Sequence, residues 1–189
     1  MIKGSKGFTL LELIVVIALF SIVTITIFGL ITSSTATYSA VSDDLSLQYE
    51  SQAAMSQIQE YVIDCNGAVC YNSDDATLYL LYLDKTAISE TSTGCTIHAF
   101  TWKEDENEIY YATGEVLKGD SGFSYSLSEY EMSEYVTGFE AAASDSSVTV
   151  TTTFSKRRDH YTASQTIAMR NPVVSAQSID LAIAAVCTE

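Results

Sequence analysis

Gly7-Phe8-Thr9-Leu10-Leu11-Glu12-Leu13-Ile14-Val15-Val16-Ile17 opens an apolar run that continues to about Ile31. Between Phe8 and Ile31 the only ionisable side chain is Glu12. The other non-apolar positions, Thr9, Ser21, Thr24, Thr26 and Gly29, are small or hydroxylated. As a helix the run would be roughly 36 Å long at about 1.5 Å per residue, enough to span a bilayer core of about 30 Å. A carboxylate in such a helix is costly, and ionisable residues there mark function by default. A short basic leader, Met1 to Gly7, precedes the run. Lys3 and Lys6 are the only basic residues before Lys85. The positive-inside bias therefore expects a cytoplasmic N-terminus and an exported chain after Ile31.

Three uses of this segment compete. A plain signal anchor would tolerate Glu12 because it lies near the membrane surface. A secretory signal peptide would be cut after Ser34-Thr35-Ala36, but the apolar run is longer than the roughly 7–15 residues usual for such peptides. The third use is retention of the run as an assembly helix. Lys6-Gly7-Phe8-Thr9-Leu10-Leu11-Glu12 resembles the processing site of type IV prepilins and pseudopilins, a likeness confined to about the first 30 residues. The resemblance implies that a prepilin peptidase cuts between Gly7 and Phe8 at the cytoplasmic face and N-methylates Phe8. Glu12 would then occupy the family's acidic position.

The residue chemistry suits that implication. Gly7 offers a peptidase close access to its backbone. Cleavage removes Lys3 and Lys6 and creates an α-amino group on Phe8, mostly cationic at neutral pH. In a low-dielectric bundle this amine and a Glu12 carboxylate of a neighbouring subunit attract strongly. Ser21 and Gly29 stand where many pilins carry glycine and proline. Without that proline any weak point in the helix would be milder, and Gly29 equally suits close helix packing.

The 189 residues divide naturally into a leader (1–7), a transmembrane and assembly helix (8–31), an amphipathic continuation of the stalk (32–66) and an extracytoplasmic, β-rich head (67–189). The chain carries 24 acidic against 9 basic residues, a net charge of −15. Such acidity repels DNA phosphate and disfavours nucleic-acid binding by the head, the local spot Lys156-Arg157-Arg158 notwithstanding. Four cysteines, Cys65, Cys70, Cys95 and Cys187, lie in the exported part and allow up to two disulfides in three connectivities. The preferred pairing is Cys65–Cys70, closing a small loop, with Cys95–Cys187 tying down the C-terminus. No cysteine spacing matches a zinc site, and His98 and His160 read as structural or surface residues.

Tyr38, Val41, Leu45, Tyr49, Met55, Ile58 and Val62 recur at three- and four-residue steps among acidic and amide residues, which predicts an amphipathic helix continuing the membrane run. Its apolar face is expected to lie under the sheet. Ser33-Ser34-Thr35 marks a weak junction where a kink or break is expected, and Asn66-Gly67 a stop. Strands are predicted at Thr77–Leu83, Cys95–Trp102, Glu108–Ala112, Val148–Phe154 and His160–Met169. Hairpins are expected across 103–107 and 155–159. Gly114 to Ser147 reads as loop-rich, and Ser175 to Val186 as either a short helix or a tail. The order predicts an α+β fold: a long N-terminal helix packed on an antiparallel β-sheet head, in agreement with the pilin fold. Gln165-Thr166-Ile167-Ala168-Met169-Arg170-Asn171 resembles the late strand of J-type pseudopilins and W-type minor pilins.

No nucleophile constellation, phosphate loop or EF-hand spacing occurs in the sequence. Asp43-Asp44, Asp74-Asp75 and Glu104-Asp105-Glu106 read as solvated acidic turns rather than calcium sites. The reading is a non-enzymatic subunit, a minor pilin or pseudopilin, of a type IV pilus or type II secretion-like filament, with no metal or cofactor. Its partners would be other pilin subunits, the prepilin peptidase, membrane lipid along 8–31 and the inner-membrane assembly machinery. It would wait as a single-pass protein of the cytoplasmic membrane before entering a cell-surface or periplasmic filament. The competing reading is a membrane-anchored binding or adhesin module.

Overall fold

A single α-helix, α1, runs from Leu10 to Asp64. The computed structural model describes residues 9–84, 92–119, 122–144 and 146–171. The only proline of the chain is Pro172, so nothing in α1 removes a ladder hydrogen bond. Ser33-Ser34-Thr35 does not interrupt it, contrary to expectation. The Thr35 hydroxyl bonds back to the carbonyls of Ile31 and Thr32, both at 3.0 Å, and Thr37 to that of Ser33 at 3.0 Å. Hydroxyls satisfied within the preceding turn stay in the helix instead of pulling the backbone out of it. The helix ends before Gly67, whose N–H donates to the Leu81 carbonyl at 3.0 Å. A Cβ at this position would lie 2.3 Å from that oxygen, so the close approach requires glycine.

The chain divides into two units, Met1–Asp43 and Asp44–Glu189. Within the second, nine strands follow α1 among the described residues: β1 (Ala68–Asn72), β2 (Thr77–Leu83), β3 (Ser92–Lys103), β4 (Glu108–Gly119), β5 (Gly122–Tyr125), β6 (Ser128–Ser133), β7 (Val136–Ala143), β8 (Ser147–Lys156) and β9 (Asp159–Ala168). They form two antiparallel sheets. One has the order β1-β2-β3-β4, with β5 and β6 both pairing on β4; the other has the order β7-β8-β9. The five predicted strands are all present. The stretch read as loop-rich is not: it holds the end of β4, all of β5 and β6, and β7. Exposed Ser, Glu and Tyr in β6 and scattered Gly and Ala in β5 and β7 give no clean alternation, which hid them.

Both predicted hairpins form. Lys103 pairs with Glu108, and Asn107 takes a left-handed φ of 58° to close the turn. Lys156 pairs with Asp159 around Arg157-Arg158, with Arg157 at φ 58°. The strand alternation sets the core. In β8, Val148, Val150, Thr152 and Phe154 point inward while Thr149, Thr151 and Thr153 face out and bond to Thr166, Ser164 and Thr162 of β9. Thr152 is fully buried, and its hydroxyl is left without a hydrogen-bond partner.

The core under α1 joins Leu47, Ala54, Met55, Ile58 and Val62 to Leu78, Leu80, Phe100 and Ile109 of the larger sheet and to Val136, Phe139, Val148, Val150 and Phe154 of the smaller. The expected helix face is therefore only half correct. Met55, Ile58 and Val62 are inside, but Tyr38, Val41, Leu45 and Tyr49 are 78, 53, 59 and 72 % exposed. At about 100° per residue Leu45 and Tyr49 lie on the side opposite Leu47, Ala54 and Ile58. The true buried face includes Ser51 and Ala54, small residues that carry little signal in a hydropathy pattern.

The late strand ends by capping the helix. Gln165 donates to Gln59 at 3.0 Å, the Arg170 N–H to the Ile63 carbonyl at 2.9 Å and the Asn171 amide to the Asp64 carbonyl at 3.2 Å. Arg170 also pairs with Asp64 at 3.0 Å. The last carbonyls of a helix lack intrahelical donors, and a cation there complements the dipole. No basic residue lies in the last turn of α1 itself.

Candidate functional site: the start of the N-terminal helix

Thr9 caps α1. Its side-chain oxygen accepts the Glu12 N–H at 3.3 Å, and its carbonyl accepts the Leu13 N–H at 3.2 Å. Thr9-Leu10-Leu11-Glu12 has the T-x-x-E spacing of a capping box, a signal present in the sequence that the reading above missed. Glu12 thus sits in the first turn, where the helix dipole favours a negative charge. The helix supplies a partly positive end beside the carboxylate. Gly7 and Phe8, the expected cleavage pair, lie outside the described residues.

From Leu10 to Ile31 every large apolar side chain is exposed, between 45 and 78 %. One 18-residue window is apolar enough to cross a membrane, and none of it is buried. The hydroxyls in this stretch are satisfied within the helix: Ser21 donates to Ile17, Thr24 to Phe20 and Thr26 to Val23, each at 2.8 Å. A segment in lipid must satisfy its polar groups internally. Nothing lies within 4 Å of a Cβ built on Gly29, and α1 runs through it unbroken.

The second unit holds a half-buried aromatic cluster. Tyr61 of α1 stacks on Tyr111 of β4 with ring centroids 4.9 Å apart and lies 4.8 Å from the His98 ring. The Tyr82 hydroxyl donates to the Tyr61 carbonyl, and Tyr82 meets His98 edge-on. His98 Nδ1 is 2.7 Å from the Tyr111 hydroxyl. Burial lowers the His98 pKa, so the folded state favours the neutral ring and the unfolded chain binds a proton more readily. Stability from this group is complete above about pH 6.5 and is lost as the pH falls toward the folded value. The unfolding midpoint is therefore expected to drop between pH 7.5 and pH 5.5, and His98→Asn to flatten that part of the profile. An unchanged slope in the variant would place the pH dependence on other groups.

The acidic clusters lie on α1 and in the β1–β2 and β3–β4 turns. Among the described residues no group of three or more His, Cys, Asp or Glu side chains comes close enough to hold a metal ion. The cysteines depart from expectation. Cys65 and Cys95 are buried thiols, so neither the Cys65–Cys70 nor the Cys95–Cys187 bridge is formed. Cys65 is the end-of-helix residue whose Sγ lies 3.3 Å from the Leu81 carbonyl, a partner that a short sequence loop to Cys70 could not reveal. Burial raises both thiols, Cys95 to about 11. Cys70 is disulfide-bonded, and Cys187 lies outside the described residues.

Residues 2–28 match the family model described as the prokaryotic N-terminal methylation motif. With an apolar helix beginning at Leu10 and an α+β head, that motif supports a type IV prepilin- or pseudopilin-like protein. The matched residues contain the Gly7–Phe8 pair, the Thr9 cap and Glu12. No curated protein and no solved structure matches the chain.

Proposed function

We propose that the protein is a minor pilin or pseudopilin, cleaved after Gly7, methylated on Phe8 and drawn from the membrane into a filament by pairing of Glu12 with the Phe8 amine of a neighbour. The N-terminus faces the cytoplasm before cleavage, and the head is carried outside. The observation that carries this reading is the methylation motif over residues 2–28, together with a capped helix start that leaves the Glu12 carboxylate at the mouth of an unburied apolar segment. Maturation removes Lys3 and Lys6, leaving seven basic against 24 acidic residues, a charge near −17. That charge favours a soluble, displayed head over one that binds nucleic acid. The late segment ending at Arg170-Asn171 ties the head to the end of α1, and supports a minor-subunit role through its likeness to J- and W-type subunits.

Co-expression with a prepilin peptidase is expected to shorten the chain by seven residues and leave N-methylphenylalanine as the first residue. Intact-mass and N-terminal peptide analysis read both events. A chain that keeps Met1 beside an active peptidase would return the segment to a plain anchor.

A further inference from the structure

Asn66-Gly67 is the only Asn-Gly pair in the chain. An asparagine before glycine is prone to self-modification, because a backbone nitrogen with no side chain beside it readily reaches the asparagine amide carbon and closes a succinimide ring. Ring closure needs a mobile amide and a Gly67 nitrogen that can lose its proton. The fold restrains both.

β1 begins at Ala68, which pairs with Leu81. Continued back by two residues, that register sets residue 66 against Leu83, where β1 has already ended. The Asn66 side chain takes the missing place. Its Oδ1 accepts the Leu83 N–H at 2.9 Å, and its Nδ2 donates to the Leu83 carbonyl at 3.1 Å. One amide thus makes both bonds that a paired strand residue would make, and it is not free to rotate onto the Gly67 nitrogen. Gly67 is buried, and its N–H donates to the Leu81 carbonyl at 3.0 Å. Loss of that proton would leave a buried anion facing a carbonyl oxygen, a costly arrangement.

We propose that Asn66–Gly67 is a self-modification site guarded by the joint between the end of α1 and β2. While the joint is closed the asparagine is kept. When it opens, the Gly67 nitrogen attacks Asn66 Cγ. The bond from Cγ to Nδ2 breaks, and ammonia leaves carrying the proton lost by Gly67. Water then adds to one of the succinimide carbonyls, and ring opening gives aspartate or isoaspartate. No oxidant or enzyme enters. Neither product rebuilds the joint. Aspartate has no donor for the Leu83 carbonyl and sets a charge beside it. Isoaspartate adds a methylene to the main chain just before Gly67, where even one added Cβ would meet the Leu81 carbonyl oxygen. The modification is therefore a one-way mark on heads whose helix end has come away from the sheet. It does not depend on entry into a filament.

The test uses the full chain in detergent at mildly alkaline pH, with and without denaturant. Peptide mapping follows deamidation and separates the isoaspartyl peptide. Asn107, exposed in the β3–β4 turn, reports any direct effect of the denaturant on the chemistry. Relative to Asn107, Asn66 is expected to convert roughly tenfold or more slowly in the folded protein than in the unfolded one. Equal relative rates overturn the guard. Folded protein is also aged and then treated briefly with protease. Isoaspartate at position 66 is expected to be enriched several-fold in the cleaved fraction; an even distribution shows that the joint recloses and refutes the one-way mark. Asn66→Asp is expected to lower the unfolding midpoint by roughly 3–12 °C. An unchanged midpoint would show that the amide does not hold the joint.

Discussion

Glu12→Ala is expected to leave cleavage after Gly7 largely intact while reducing incorporation into filaments by at least tenfold. Under the proposed function the peptidase would read the backbone at Gly7–Phe8, whereas the carboxylate would serve a later step. An amine and a carboxylate at 4 Å attract by about 4 kcal/mol at an effective dielectric of about 20, equivalent to roughly a thousandfold in an equilibrium constant. In the proposed assembly step even a fraction of that would decide whether a subunit leaves the lipid. Alanine also removes the acidic half of the Thr9-x-x-Glu12 pattern, so the variant alone mixes cap and charge. Glu12→Gln separates them, because glutamine serves in a capping box but carries no charge. It should assemble as poorly as alanine. Quantifying sheared filaments against membrane-retained subunit measures the ratio. Wild-type assembly by Glu12→Gln would show that the residue acts through the helix start and not through a charged partner.

Phe100→Ala is expected to destabilise the head by about 3–5 kcal/mol, a drop in unfolding midpoint of roughly 6–20 °C. Phe100 is fully buried, with the Tyr111 ring 5.4 Å and the Tyr61 ring 5.8 Å away. It therefore joins β3 to both β4 and the end of α1. Truncation leaves a cavity between elements that are each held by other contacts, so the site cannot collapse to fill it. Circular dichroism of the full chain in detergent follows the transition through the β signal. Leu117→Ala, at a side chain 47 % exposed, should shift the midpoint by under about 2 °C. A similarly small shift for Phe100→Ala would mean that the helix and sheet do not share a packed core.

The strands that were legible in sequence are those with both faces informative. Thr77 to Leu83 is buried along nearly its whole length and reads as an apolar run. Val148 to Phe154 alternates because its Thr residues face solvent. β6 has four exposed residues in a row before Met132 and Ser133, so it exists through pairing with β4 and not through any pattern of its own. Residues paired at long sequence distance leave no local trace. For the same reason the cysteines could be counted, but the pairing preferred from sequence, Cys65–Cys70 with Cys95–Cys187, is not the one formed. Which thiols approach one another depends on which face of the sheet each occupies: Cys65 lies under α1, and Cys70 packs on the opposite face.

The N-terminal segment by itself determined the membrane-length helix, the methylation motif and the singular carboxylate, because each rests on neighbours within a few residues, where composition and spacing are sufficient physics. The tertiary structure alone decided which side of α1 meets the sheet, that the nine strands among the described residues split into two sheets, and that the late strand caps the helix. Those outcomes depend on surfaces brought together from positions 83 to 107 residues apart, as in the Ser133–Glu50 and Asn171–Asp64 bonds. Burial between such surfaces stabilises the fold without any periodic signal in the chain that forms them.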